Sequence, residues 1–216
     1  MADSDDITSR LKLDWSELYP QMYRLLASIY DESGQETLAQ VDVGPESDAF
    51  STVADSSIDY AKTRAAELIG MRVQEDGTLV PNPDAKWAIT DTTRDAINRS
   101  VQNALEQGLS AGAFRDELMQ DYAFSAQRAL MVARTERNLA QRRGGSDAAK
   151  ASGVVKRKRW NLSDSHPVED GCDINAEAGW IDIDDEYPEG DNPHPSCECF
   201  ESWDTSDGDK GAETEE

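Results

Sequence analysis

Apolar residues recur at steps of three and four near the start of the chain, and this period predicts a helix with one apolar face. The pattern runs from Trp15 to Ile29, so we predict an N-terminal amphipathic helical arm over residues 1–30. Asp14 is a suitable N-cap, and Pro20 marks either the start of the helix or a kink. We interpret the apolar face as a docking surface for the rest of this protein or for a partner. The apolar positions of the arm are Leu11, Leu13, Trp15, Leu18, Met22, Leu25, Leu26 and Ile29.

The segment 31–86 is more polar and is interrupted by glycine and proline, and we assign it as a linker and a helix. The linker is predicted over 31–52. The helix is predicted over 53–69 and ends at Gly70, because glycine readily adopts the left-handed conformation of a helix C-cap. Residues 71–86 contain an Asp-Gly pair and two prolines, which predicts a short hairpin-like excursion.

Three further helices are predicted before the glycine pair Gly144-Gly145, which indicates a turn. The first has Thr90 or Asp91 as its N-cap and ends at Gly108. The second is capped by Ser110, and the third spans 125–143. Their recurring apolar positions are Ile97, Val101, Leu105, Phe114, Leu118, Leu130 and Ala133.

The centre of the third helix, A-R-T-E-R, is strongly charged and includes Arg134, Glu136 and Arg137. We interpret these side chains as a solvated face or an intramolecular ion-pair hub rather than as a catalytic group, because charged helix faces are usually solvated.

Strands are predicted only after these helices. Residues 154–160 combine valines and tryptophan with four consecutive basic residues, and residues 181–184 alternate apolar and acidic residues as an edge strand does. The predicted fold class is therefore α+β, mainly helical, with a small β-containing, Cys/His-rich C-terminal subdomain.

The charge of the chain changes what this fold is expected to bind. The formal net charge is −23, so we expect no strong nucleic-acid binding, which depends on basic surfaces. Residues 161–209 contain 16 Asp and Glu and no Lys or Arg, so the basic strip 156–159 is expected to neutralise acidic neighbours. Residues 201–216 are acidic and nearly free of core residues, and 204–216 are predicted to be a disordered tail. No apolar run approaches the roughly 20 residues needed to span a bilayer, and no secretory signal is evident, so we expect an intracellular protein without a membrane partner.

Both histidines and all three cysteines lie between residues 160 and 199. Thiolate and imidazole are the usual ligands of zinc, and a structural zinc site needs four of them. Glu198 separates two of the cysteines, and alternate residues of an extended chain share a face, so both sulfurs can reach one ion. The candidate metal ligands, for a structural zinc, are His166, Cys172, His194, Cys197 and Cys199.

Two other interpretations of this cluster stay open at the level of sequence. Cys172 can form a disulfide with either other cysteine, which leaves one thiol over. Alternatively, the cysteines pack as small hydrophobic residues, and the two His-Pro pairs shape rigid turns. The ligand spacing matches no standard zinc finger.

The order of three motifs resembles the minor head, or head morphogenesis, proteins of tailed bacteriophages typified by phage Mu protein F. These motifs are R-A-L-M-V-A-R-T-E-R-N-L-A at 128–140, G-V-V-K-R-K-R-W-N-L-S-D at 153–164 and H-P-x-C-x-C at 194–199. The resemblance covers residues 87–203, which we assign as a phage minor-head domain. Glu198 stands where the family often has arginine.

The resemblance implies a minor structural protein of the virion that is associated with the portal vertex inside the capsid, takes part in head morphogenesis and in some members enters the host with DNA. Portal, major capsid or scaffold proteins are its expected partners, and the host cytoplasm is its location during assembly. By position, the resemblance implies that Arg134 and Glu136 form an ion-pair hub on the helix. It also implies that the C-terminal end of the domain is cross-linked through Cys172, His194, Cys197 and Cys199. The alternative is an enzyme or toxin-like domain, with nucleotide-transfer or hydrolase activity at the Cys/His site, although the chain has no phosphate-binding glycine motif and no nucleophile elbow.

Overall fold

The structure is a computed structural model that describes residues 18–85, 88–108, 112–113, 116, 120–121, 125–166 and 169–206. The chain divides into two compact units that alternate along the sequence. The first unit comprises 1–25 and 59–133, and the second comprises 26–58 and 134–216. The elements are mainly helical with small antiparallel sheets towards the C-terminus, which confirms the predicted α+β class. The helices are α1 (Leu18–Gln40), α2 (Asp48–Leu68), α3 (Ile89–Gln107), α4 (Ala126–Ser152) and α5 (Gly171–Glu177), and the strands are β1 (Met71–Val73), β2 (Leu79–Pro81), β3 (Arg157–Asn161), β4 (Trp180–Asp182) and β5 (Phe200–Asp204).

The predicted linker over 31–52 is wrong, because α1 continues to Gln40 and α2 begins at Asp48. The polar residues of this part of α1 cover its exposed side, while Tyr30, Gly34 and Leu38 are buried at steps of four. Helix α1 is therefore amphipathic beyond residue 30. Its buried face includes a glycine, so the sequence of this part looks polar and does not show the usual apolar pattern. The N-terminal part of the predicted arm, residues 1–17 with Asp14, lies outside the described residues.

In the first unit, the predicted hairpin is confirmed. Strands β1 and β2 pair antiparallel, and Gly77 between them has a φ of 83°. Gly70, which follows α2, has a φ of 71°, the left-handed conformation expected of it. Glycine reaches this region without the steric cost that a Cβ imposes.

Helix α3 ends at Gly108 as predicted, with a left-handed φ of 64°. Its beginning differs, because the N-cap is Ala88, which makes no side-chain capping bond, and not Thr90 or Asp91. The first turn is instead contacted by the Arg128 guanidinium, which hydrogen-bonds to Thr92 and to the carbonyl oxygen of Ile89. The predicted helix capped by Ser110 falls largely outside the described residues.

Helix α4 passes straight through Gly144-Gly145, so the predicted turn at this pair and the predicted helix end at 143 are wrong. Helix α1 packs closely against α4 at this point, within the second unit. A Cβ atom added to Gly144 would lie 2.2 Å from the carbonyl oxygen of Tyr30. The Tyr30 hydroxyl also donates a hydrogen bond to Asp147 of α4. The glycine pair therefore permits helix packing rather than ending the helix.

The second unit also contains a three-stranded antiparallel sheet in the order β4-β3-β5, so β4 is an edge strand as predicted. Lys158 and Trp160 of β3 point to the same face of the sheet and are 3% and 1% exposed. Arg157 forms an ion pair with Asp204 of β5, consistent with the expected neutralisation of acidic neighbours. Because β5 runs to Asp204, residue 204 is not part of a disordered tail, and residues 207–216 lie outside the described residues.

Within the described residues, no helix combines the length and apolar character required to cross a membrane.

Candidate metal centre

Cys172 is held at the start of α5 by a well-formed N-terminal cap. Asp170 is the N-cap: its Oδ1 accepts a hydrogen bond of 2.7 Å from the Cys172 backbone N–H. Asp173 completes a capping box, because its Oδ2 accepts a bond of 2.7 Å from the Asp170 backbone N–H. Reciprocal capping satisfies backbone donors that the helix leaves free, so the first turn is fixed. The Cys172 side chain in this turn is fully buried.

Cys197 and Cys199 lie on the segment that leads into β5. Both are buried, at 1% and 4% exposure, while Glu198 between them is exposed and bonds to Ser165. The predicted alternation, with both sulfurs on one side and Glu198 on the other, is therefore confirmed. Ser196 precedes them with a φ of 56°, a left-handed turn that directs the segment.

The three cysteine sulfurs meet in one place. The Sγ atoms of Cys172, Cys197 and Cys199 all lie within 4.8 Å of one another, and the Cys172 and Cys197 sulfurs are 3.4 Å apart. All three residues are free cysteines in the structure. The sulfurs are close enough to bind a metal ion.

A second group of donors shares Cys172. One donor atom each from His166, Asp170, Cys172 and His194 also lies within 4.8 Å of the others. The structure thus brings together all five ligands predicted from sequence and adds Asp170, which the sequence pattern alone does not indicate. A signal for Asp170 existed in its position two residues before Cys172, but acidic residues are too frequent in this segment to single it out.

Each histidine has one ring nitrogen engaged by an oxygen acceptor. His194 Nδ1 lies 2.9 Å from the Pro195 carbonyl oxygen, and His166 Nε2 lies 2.9 Å from Asp173 Oδ2. Because both oxygens only accept, these nitrogens carry the protons, and in the neutral rings the opposite nitrogens carry lone pairs. Metal-binding histidines are commonly oriented in this way by a carbonyl or a carboxylate.

Burial controls the charge of two of the thiols. Desolvation raises the pKa of Cys172 above its ordinary value, and the other two cysteines raise it further. Desolvation also raises the pKa of Cys197, an effect that the nearby Arg142 guanidinium partly opposes. Without a cation these two thiols are therefore neutral, and a bound metal ion would supply the positive charge that stabilises thiolates.

Helix α4 fixes the backbone of the cysteine segment through three side chains on one face. Thr135 Oγ1 accepts a 2.8 Å bond from the Ser196 N–H, and Asn138 donates a 2.8 Å bond to the Cys197 carbonyl oxygen. Arg142 donates bonds of 3.1 and 3.3 Å to the carbonyl oxygens of Cys197 and Cys199. Within the charged centre A-R-T-E-R of this helix, Thr135 is therefore the residue that holds the backbone of the cysteine segment.

The predicted charged hub on α4 divides into two kinds of residue. Arg134 and Arg137 are exposed, as a solvated face requires, whereas Glu136 is buried at 6% exposure. Because Glu136 is buried, it is not part of a solvated surface, and its carboxylate needs partners inside the protein.

Aromatic residues close the other sides of the centre. Trp160, Tyr187 and the three cysteines form one buried cluster, with Ala176 and Ile181 packed against it. The Trp160 and Tyr187 rings meet edge to face at 5.2 Å, and the Arg142 guanidinium lies 5.3 Å from the Trp160 ring centroid. The cysteines therefore belong to the core of this unit, in agreement with the packing interpretation as well as with a metal site.

A groove of about 360 Å³ in the same unit runs past this core. Its lining comes from α1, α4 and the segment from Glu198 to Trp203, and it includes Cys199. Cys199 is only 4% exposed, so its sulfur offers little surface to a molecule in the groove. This enclosure is typical of a structural metal site, whereas a catalytic site keeps an accessible position for substrate.

No protein-family model, no curated protein and no solved structure matches this chain.

Proposed function

We propose that the chain is a structural protein whose second compact unit is stabilised by zinc, and that it serves as a minor component of a tailed-phage head. The observation that carries the proposal is the convergence of three buried cysteine sulfurs, one of which, that of Cys172, also lies beside two oriented imidazoles. Cys197 lies 25 positions from Cys172 along the chain, so a shared ion would join distant segments.

The donor set favours zinc. Cysteine and histidine are the ligands of structural zinc, and hard cations such as magnesium or calcium prefer oxygen. The three thiolates of Cys172, Cys197 and Cys199 would be the principal ligands of the ion, and His166 and His194, which lie in a second group of donors that shares Cys172, would complete the metal-binding set. The bound ion would supply cross-linking between α5 and the segment before β5, and no chemical step is required of it.

The placement in a phage head rests on the ordered motifs that resemble the Mu F-like minor head proteins. Two of these motifs meet around the cysteines: Thr135 and Asn138 of the first bond to the H-P-x-C-x-C segment, and Trp160 of the second packs on it. If the chain shares a domain with these proteins, motifs that are far apart in the sequence are expected to contact one another in the fold, as these do. We therefore infer a location in the capsid interior near the portal vertex, and in the host cytoplasm during assembly.

The partners follow from the same proposal and from the charge. Portal, major capsid or scaffold proteins would offer basic surfaces to a chain with a net charge of −23. Duplex DNA would bind weakly, since two basic residues of β3 are engaged: Arg157 pairs with Asp204, and Lys158 is buried over the Tyr187 ring.

Quantitative mass spectrometry of purified virions tests this role. We expect peptides of this chain at a few copies per particle, far below the major capsid protein, and lost together with the portal when heads are dissociated and fractionated. Presence in infected cells but absence from particles would overturn the virion assignment. That outcome would leave the zinc site untouched, because metal binding is tested on the isolated protein.

A further inference from the structure

We infer that the centre binds two metal ions, one at the three cysteines and a second at His166, Asp170, Cys172 and His194, with the Cys172 thiolate bridging them. This inference rests on the proposed metal-stabilised unit and deepens it. It assigns a specific second site of the His₂AspCys type, which suits zinc or another borderline divalent cation.

The six donors of the centre fall into two coordination spheres. Donor atoms bound to one zinc ion at about 2.0–2.3 Å lie within about 4.6 Å of one another. The six donors form two groups that approach this limit rather than one, and Cys172 is the member that both share. A thiolate has lone pairs for two cations, so it can serve both groups at once.

Two acceptors face each other in the second group. His194 Nε2 is buried and makes no hydrogen bond, yet it lies 3.4 Å from Asp170 Oδ2. When the ring is neutral, the Pro195 carbonyl holds its proton on Nδ1, and Nε2 presents a lone pair to the carboxylate. This separation is typical of neighbouring ligands around one cation, and a cation between the two atoms would satisfy both.

The helix cap orients the carboxylate towards this position. Asp170 Oδ1 is committed to capping α5 through the Cys172 N–H, which leaves Oδ2 directed at His194. Asp173 holds both the Asp170 backbone and the His166 ring. The capping box therefore also positions two of the four ligands, as the hydrogen-bond partners of metal ligands commonly do.

Titration of the metal-free full-length protein with cobalt(II) tests the inference, because thiolate-to-cobalt charge-transfer and ligand-field bands report how many ions bind and to which donors. We expect saturation at two equivalents for the wild-type protein. We expect His166→Ala and Asp170→Asn to saturate at one equivalent while keeping the charge-transfer band of the three thiolates. Asn is as good an N-cap as Asp, so Asp170→Asn removes the charge and keeps the cap.

Glu169→Gln is the matched control, since it removes a neighbouring exposed carboxylate that belongs to neither group, and it should saturate at two equivalents. One equivalent in the wild-type protein would overturn the inference of two ions and leave the proposed metal-stabilised unit in place. No cobalt binding at all would overturn both. Circular dichroism of His166→Ala and Asp170→Asn with bound metal shows whether each variant folds. If one of them does not fold, the number of cobalt ions bound by the other tests the second site.

Discussion

Arg142 links helix α4 to the candidate metal centre through the backbone of the cysteine segment. It is 8% exposed, and its guanidinium donates hydrogen bonds to the carbonyl oxygens of Cys197, Cys199 and Asp191. A planar group with several fixed donors suits this role, because it holds separate carbonyls in one arrangement. The side chain therefore fixes the backbone on both sides of Glu198, and with it the positions of two sulfurs.

Arg142→Lys is expected to weaken zinc binding by about 10- to 100-fold, the usual effect of losing a group that orients metal ligands. Lysine keeps the charge but cannot reach several carbonyl oxygens in the same fixed geometry. Competition with a chromophoric zinc chelator measures the change. Arg143→Lys is the control, since Arg143 is half-exposed and pairs with Asp147 and Asp191 instead of the cysteine carbonyls. Equal affinities for wild type and Arg142→Lys would contradict this role.

Neighbouring hydrogen-bond donors stabilise the charged form of the Asp204 carboxyl group. Hydrogen bonds from Ser206 and from Arg157 lower the pKa of Asp204 to about 2. A carboxyl whose pKa is depressed by folding adds stability above its unfolded pKa, and that stability is lost as the pH falls through the folded value.

Asp204→Asn should therefore lower the melting temperature by the same amount at pH 7 and pH 5, and the difference from wild type should narrow only below about pH 4. Thermal unfolding of both proteins at pH 7, 5 and 3 measures this. A difference in melting temperature that stays the same between pH 5 and pH 3 would show that folding does not depress the pKa of Asp204.

Among single residues, the sequence was enough to single out five of the six side chains that the structure brings close enough to bind a metal ion, because histidine and cysteine are rare in this chain and occur together. Asp170 and Arg142 were not predictable in the same way. Both belong to residue types that are common here, and their roles depend on which backbone groups the fold brings next to them.

At the level of elements, the contact between α1 and α4 depends on a residue without a side chain. Gly144 lies against the backbone of Tyr30, which cannot move aside without moving the helix. A Cβ atom on the neighbouring Gly145 would instead meet side-chain atoms of Thr37 and Trp203, at 3.1 and 3.5 Å. The two glycines occupy one helix but differ in how much room they have.

Gly144→Ala should reduce the free energy of unfolding by about 2 kcal/mol or more, because the helices must separate to admit the methyl group. Gly145→Ala is the matched control and should change it by less than about 1 kcal/mol, since a small side-chain shift is offset by the better helix propensity of alanine. Denaturant unfolding measures both. A tolerated Gly144→Ala would contradict the close packing of α1 and α4.

The sequence predicted some elements well and others badly, and the difference depends on whether the signal was local. The hairpin β1–β2, the end of α3 and the edge strand β4 follow from local signals, namely turn glycines and alternation. The predictions of a linker over 31–52 and of a turn at Gly144-Gly145 were wrong because they depended on non-local contacts. In both places glycine serves a tertiary contact, and a single sequence does not distinguish this use from a chain break.

At the level of the whole molecule, zinc would compensate for a small core in a strongly charged chain. Hydrophobic residues make up 38% of the chain and the net charge is −23, so self-repulsion opposes the compact state. Where a metal site exists only in the folded state, the free energy of binding adds to the free energy of folding.

Removal of metal by a strong chelator is therefore expected to unfold the second unit, with loss of the sheet signal in circular dichroism and restoration on adding back zinc. Cys199→Ser should behave like the chelated protein without any chelator. Glu198→Gln changes the exposed residue beside it and should leave the unit folded. A chelated protein with an unchanged melting temperature would show that packing alone holds the cysteines.

Elemental mass spectrometry of the purified, tag-free protein, with thiol titration on the same sample, tests directly whether the cysteines bind zinc. We expect at least one zinc per chain and three thiols that react only after a chelator is added, because the sulfurs are buried and would also be bound to the metal. A metal-free protein that is folded and has three free thiols would contradict the account, and would leave the cluster as a packed core.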